Sequence, residues 1–205
     1  MAGRAETLFF REVITHPVRV GALAPSSSRL ARQAVLPIPE SGDPTVVELG
    51  SGTGVFTREI LRRLAGRGHL LAIEKNPEFV RMLRRRFPGL DIQCAGASQL
   101  IRLMIRRDMP PADVIVSTVP WATFDDRAQR LTLDVVTESM SPTGVLTTIA
   151  YSATRFRPAA RRFEDRLRAR FEEVVVGRTV WRNLLPAMVY YARRPRLNAP
   201  LSFPK

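Results

Sequence analysis

From residue 44 onward the apolar positions change their spacing in regular alternation. Short runs that are continuous or every-other-residue give way to segments in which apolar residues return at three- and four-residue intervals. The first pattern is that of strands and the second that of amphipathic helices. Strands are predicted at 45–49 (TVVEL), 69–74 (HLLAIE), 90–94 (LDIQC), 112–117 (ADVIVS), 144–151 (GVLTTIAY), 173–181 (EVVVGRTVW) and 186–192 (PAMVYYA). Helices are predicted at 56–65, 77–87, 98–107, 125–140 and 158–171, the second with Asn76 as its cap and Pro77 at its first position. This alternation predicts an α/β fold whose seven-stranded sheet is mostly parallel. The link RNLLP is too short for a crossover, so the last two strands are expected to form an antiparallel terminal hairpin at the sheet edge. Two helical segments precede the sheet, at about 4–15 and 26–36, the second opened by Pro25 and a serine cap. The chain divides into an N-terminal helical region (1–40), an α/β domain (41–194) and a proline-rich tail (195–205).

Composition narrows the picture. A length of 205 residues suits one well-buried core. The longest apolar stretches are interrupted by charge well before a bilayer could be spanned, and MAGRAETLFFREV lacks the long apolar region of a signal peptide, so a cytoplasmic protein is expected. One cysteine, Cys94, and two histidines, His16 and His69, supply neither a disulfide framework nor a spaced zinc-ligand set. The formal charge of +13 points to an anionic partner, either a nucleic acid or a lipid surface. Nearly all of it is arginine, with lysine only at Lys75 and Lys205, a bias that genome composition also produces.

The candidate chemistry begins at VVELGSGTGVF, residues 46–56. A strand that ends in glycines at 50, 52 and 54 and turns directly into a helix presents bare backbone N–H groups and a positive helix end to a ligand. The dinucleotide fingerprint needs a further glycine where Val55 stands, and a Walker loop needs a Gly-Lys-Ser/Thr ending, so neither NAD nor ATP fits. The second strand ends in Glu74, where a carboxylate can accept hydrogen bonds from both hydroxyls of a ribose.

Together, ELGSGTG at 48–54 and AIEK at 72–75 resemble the first two motifs of the class I S-adenosylmethionine-dependent methyltransferases. The resemblance implies a Rossmann-like fold and S-adenosylmethionine as cofactor. It implies that Gly50, Ser51, Gly52 and Gly54 line the methionine and ribose side, with Thr53, Lys75 and Ser117 at the margin. Glu48 would support the methionine amino end and Glu74 would bind the ribose. Where the family often places a carboxylate against the adenine amine, this chain reads AGASQL (95–100), which leaves Ala97, Ser98 or backbone groups for that contact.

On the acceptor side, STVPWATF (117–124) stands where nucleic-acid amino methyltransferases often hold Asn-Pro-Pro-aromatic. Thr118 replaces the asparagine, while Pro120 and Trp121 keep the proline and the aromatic. A progressively methylated saturated amine is better served by aromatic faces than by an amide, and Trp121 and Tyr151 are the candidates; a core role for Trp121 is the alternative. The stretch HPVRVGALAPSSSRLAR (16–32) resembles the segment preceding the catalytic core of bacterial phospholipid N-methyltransferases of the soluble, phosphatidylethanolamine-methylating type. That resemblance runs from about 8 to 193 and implies lipid-amine methylation by a protein peripherally attached to the inner face of the cell membrane. Leu8, Phe9, Phe10, Val13 and Ile14, with Arg4 and Arg11 at their margin, suit either an interfacial helix or a lid. Arginines at 84–86, 102–107 and 155–170 either approach anionic headgroups or form solvated helix faces.

The implied reaction is direct attack of a lipid amine on the sulfonium methyl group. Positioning and exclusion of water carry the catalysis, and Tyr151, His16 or water takes the proton. A soluble small-molecule amine, an RNA adenine, or a noncatalytic membrane-binding protein that keeps the cofactor fold are the competing readings.

Overall fold

The computed structural model describes residues 26–183 and 185–196. The predicted 4–15 helix, His16 and the tail beyond residue 196 lie outside these residues. Seven strands form one sheet: β1 (Thr45–Leu49), β2 (His69–Glu74), β3 (Asp91–Cys94), β4 (Ala112–Ser117), β5 (Met140–Tyr151), β6 (Phe171–Val176) and β7 (Ala187–Pro195). Their order is β3-β2-β1-β4-β5-β7-β6. β1 through β5 pair in parallel, and β7 runs antiparallel to both β5 and β6. The expected hairpin is present, but its second strand inserts between β5 and β6, so β6 is the edge.

Three strands differ from the sequence pattern by more than one residue. β5 starts at Met140 because Pro142 and Gly144 sit in a register shift between Ala112 and Val114. A Cβ at Gly144 would lie 2.9 Å from the Ser141 carbonyl oxygen and 3.0 Å from that of Ala112. β6 ends at Val176, and Val180 makes only an isolated bridge to Ala187. β7 continues to Pro195, opposite Phe171.

The helices α1 (Ser28–Ala34), α2 (Val55–Leu64), α3 (Pro77–Arg86), α4 (Leu100–Ile105), α5 (Asp126–Glu138) and α6 (Pro158–Arg170) cover both faces. All five residues of β1 are buried, as a central strand covered on both sides requires. Strand residues alternate between two cores. Val46, Val114, Val116 and Val189 meet Leu30, Ile38, Phe56 and Ile60 from the α1 and α2 side. Val47, Ile115 and Leu146 meet Leu103, Leu133, Phe163 and Leu167 from the α4 to α6 side. Helix starts are locally encoded: the Asn76 side chain accepts from the Glu78 N–H (2.8 Å) and Asp125 from the Ala128 N–H (2.7 Å). Among the described residues no helix is long and apolar enough to cross a membrane.

Candidate active site

Parallel pairing places the C-terminal ends of β1, β2, β4 and β5 on one edge of the sheet, and the glycine loop lies there, between β1 and α2. Gly50, Gly52 and Gly54 have φ of +82°, +50° and +81°, the left-handed region that side chains disfavour. Close approach adds a second requirement. A Cβ at Gly50 would meet Thr118 Oγ1 at 3.1 Å, and one at Gly54 would meet Leu83 Cδ2 at 2.6 Å. The neighbouring helix secures the loop further, since Arg86 Nη1 donates to the Thr53 carbonyl at 3.0 Å.

Two glutamates organise this edge. Glu74, 8% exposed, accepts from the Gly52 N–H through Oε2 (2.8 Å) and from the Asn76 N–H through Oε1 (2.7 Å). It therefore fixes the glycine loop from the adjacent strand while keeping lone pairs for a ligand. Glu48 is fully buried on the α2 side, where the Thr57 hydroxyl donates to its Oε2 at 2.7 Å. Burial pushes its carboxyl up to about 7, against the Thr57 hydrogen bond that favours the charged form. Its other oxygen, Oε1, and the Ser51 hydroxyl are buried and make no well-formed hydrogen bond with a described residue, although Ser51 is near enough to Glu48 to favour its charged form. Unpartnered buried polar atoms beside a bare backbone loop are what a site built for a charged, hydroxyl-rich ligand leaves behind. S-adenosylmethionine fits: an ammonium for Glu48, ribose hydroxyls for Glu74, and a backbone left free of Cβ atoms.

The other predicted cofactor residues lie around this core. Ala97 is half-buried and Ser98 exposed in a single 3-10 turn after β3, and Lys75 is exposed. Ser117 is buried at the end of β4, its hydroxyl accepting from the Trp121 indole N–H at 3.1 Å.

The acceptor side differs from expectation. Trp121 is 3% exposed, stacked on Phe163 with centroids 4.9 Å apart and tilted against Phe124. It belongs to the α4 to α6 core, whereas Tyr151 packs against the α1 to α2 core. The two rings sit on opposite faces of the sheet, so they do not form the cage that adjacent strand ends suggested. Burial also pushes the Tyr151 hydroxyl up, which favours its protonated form. Pro120 is half-buried, its carbonyl accepting from the Thr123 N–H and hydroxyl, each at 2.8 Å. The Thr118 hydroxyl donates to the Gly50 carbonyl, tying the acceptor loop to the cofactor loop.

One residue the sequence reading missed is Gln129. It is 1% exposed, donates from Nε2 to the Trp121 carbonyl at 2.8 Å, and accepts from Arg166 on α6. Its signal was available: with Leu133 and Val136 it occupies the buried stripe of α5, a polar side chain in an apolar slot. Gln129→Leu removes the shorter of the two hydrogen bonds to the Trp121 carbonyl and leaves only the 3.3 Å bond from the Phe124 N–H, so the acceptor KM is expected to rise roughly 5- to 30-fold with the cofactor KM little changed, as steady-state kinetics in each substrate would show. Many arginines are likewise internal ties: Arg107 Nη2 to Asp91 Oδ1 (2.9 Å), Arg170 to Asp134 and Arg168 to Glu164 (both 2.7 Å). Among the described residues no group of three or more metal-ligating side chains converges.

Over 189 residues the chain is 32% identical to an ornithine lipid N-methyltransferase from Singulisphaera acidiphila, an alignment covering 91% of this chain and 94% of that protein. No protein-family model matches the chain. Solved structures share the fold at lower identity. A SAM-dependent O-methyltransferase from Thermotoga maritima superposes with a TM-score of 0.61 at 15% identity, covering 92% of this chain and 72% of that one. A T. thermophilus 16S rRNA guanine methyltransferase, solved with AdoMet and guanosine, gives 0.58 at 17% identity, covering 87% of this chain but only 40% of its own.

Proposed function

This chain belongs to the family of that ornithine lipid N-methyltransferase, and on this premise we propose that it transfers methyl groups from S-adenosylmethionine to the headgroup amine of a membrane lipid at the membrane surface. The observation that carries the reading is the combination of the relative, which spans nearly the whole chain, with the unpartnered Glu48 and Ser51 atoms beside the glycine loop. The enzyme is of the EC 2.1.1 class. As acceptor, the relative favours the free amine of ornithine lipid; the resemblance at 16–32 favours phosphatidylethanolamine and its methylated forms.

When bound, S-adenosylmethionine supplies an activated sulfonium methyl group. The residues of the chain hold and orient. Glu48 would take the amino end and Glu74 the ribose while clamping Gly52; the N–H groups of Gly50, Gly52 and Gly54 are spent on Ile73, Glu74 and Ser51, so these glycines serve the ligand by leaving the backbone free of Cβ atoms rather than by donating to it. Thr118, tied to the Gly50 carbonyl, keeps the acceptor loop in register with the cofactor loop, and Gln129 fixes the Trp121 end of it. The Thr118 hydroxyl is thereby committed to the backbone and does not replace the base-gripping amide of nucleic-acid enzymes. No side chain of the loop 117–124 titrates near neutral pH, so the amine proton goes to water or to a group outside that loop, His16 among the candidates. Positioning of the amine in line with the methyl group carries the rate.

The test is a competition: labelled S-adenosylmethionine is offered ornithine lipid and phosphatidylethanolamine in the same vesicles, beside a soluble ethanolamine derivative and RNA. Label is expected in a lipid amine. Label only in RNA or the soluble amine contradicts the proposal.

A further inference from the structure

The described residues with the two most exposed large hydrophobic side chains are Trp181, 75% exposed, and Phe156, 70% exposed. Both lie on the edge of the sheet that carries the glycine loop. β6 is parallel to β5, so the segment after β5 and the segment joining β6 to β7 emerge at the C-terminal ends of the strands, as the loop after β1 does. The two segments are joined, since the Ser152 N–H donates to the Pro186 carbonyl at 2.9 Å. The second is anchored to the start of α1 by the Ser27 N–H, which donates to Asn183 Oδ1 at 2.7 Å.

The chain segments that carry these aromatics hold charge of one sign. Residues 152–163 and 177–186 contain no aspartate or glutamate. Arg157, Arg161, Arg178 and Arg182 are exposed, and none forms an ion pair with a described residue, in contrast to the internally tied arginines above. An exposed indole and phenyl flanked by unpaired guanidinium groups match the boundary of an anionic bilayer, where rings enter the headgroup layer and cations meet lipid phosphates.

We propose that Phe156 and Trp181, with these four arginines, form a docking surface for an anionic phospholipid bilayer that sets the site edge against the membrane. This rests on the lipid-amine reading and adds the face through which the acceptor would be reached. Single-stranded RNA could also use arginines and aromatic faces; the lipid relative and the common edge with the cofactor loop favour the bilayer.

The chain's 2 tryptophans make the test direct, because Trp121 is buried and Trp181 is not. The full-length protein is mixed with vesicles of phosphatidylcholine alone or with phosphatidylglycerol, with and without brominated acyl chains. The expected result is a blue shift and bromine quenching of Trp181 that require the anionic lipid. Phe156→Ser/Trp181→Ser and, separately, Arg178→Gln/Arg182→Gln should each lower vesicle partitioning roughly tenfold. No shift and no quenching, unchanged partitioning of both variants, or binding to single-stranded RNA in place of vesicles overturns the proposal. Methyl transfer is followed in parallel on vesicles and on the same lipid amine dispersed in detergent. Partitioning lost in the variants with no lipid methylated in either format leaves docking standing and removes the lipid-amine reading. Lipid methylated with partitioning unchanged in the variants does the reverse.

Discussion

Glu48→Gln is expected to raise the melting temperature of the ligand-free protein at pH 8 and, at the same time, to weaken S-adenosylmethionine binding roughly 10- to 100-fold. The two effects have one origin. The Glu48 carboxyl is pushed from the ordinary 4.5 to about 7 by burial. Between these values the folded chain holds a proton that the unfolded chain has released, so the folded state loses stability as pH rises from 4.5 through about 7. Above that window the penalty is complete and on the order of 3 kcal/mol. Glutamine carries no charge to desolvate and escapes it, which corresponds to a gain of several degrees for a chain of this size. The carboxylate is nevertheless what an ammonium needs, so cofactor affinity of the parent should increase between pH 5.5 and 7 while that of the variant stays flat. Thermal melts at pH 5 and 8 with calorimetric titrations over the same range check both. A variant no more stable than the parent at pH 8 would show that Glu48 is not strained by burial.

Glu74→Ala should be more damaging still, with cofactor affinity and kcat/KM both falling about 100-fold or more and stability dropping by about 1–3 kcal/mol. Alanine strands the Gly52 and Asn76 N–H groups that Glu74 now satisfies at 2.8 and 2.7 Å, so the glycine loop loses its tie to β2 as well as its ribose ligand. Lys75→Ala, one residue along but exposed, is expected to alter the same quantities only a few-fold. Equal losses in the two variants would remove the special role given to Glu74.

Much of this site was legible in the sequence because its parts are local. The glycines, the strand-ending Glu74 and the buried Glu48 sit at fixed offsets along a strand–loop–helix unit, and the period of the hydrophobic pattern sets those offsets. The sheet's parallel character followed from the same alternation. What required tertiary structure was the choice among partners. RNLLP demands an antiparallel return but does not say which side of β6 the returning strand takes; the structure seats β7 against β5, giving β6 the edge. Pro142 and Gly144 look like loop residues and do stay unpaired; the register shift against β4 carries them between Met140, opposite Ala112, and Val145, opposite Val114. Trp121 after Pro120 reads the same whether the ring turns outward or under the loop, and the stack on Phe163, distant in sequence, turns it under. Arginine runs that look like a solvated face prove divided: Arg107, Arg166 and Arg170 tie elements together, whereas Arg178 and Arg182 remain free of ion pairs with described residues.

The measurement that tests the account most directly follows a deuterated methyl group from S-adenosylmethionine into vesicle lipid by mass spectrometry, with S-adenosylhomocysteine counted in the same sample. The account predicts labelled methyl on a lipid amine in proportion to the S-adenosylhomocysteine formed, and its loss in Glu74→Ala. S-adenosylhomocysteine accumulating with no labelled lipid, or labelled lipid undiminished in Glu74→Ala, would contradict it.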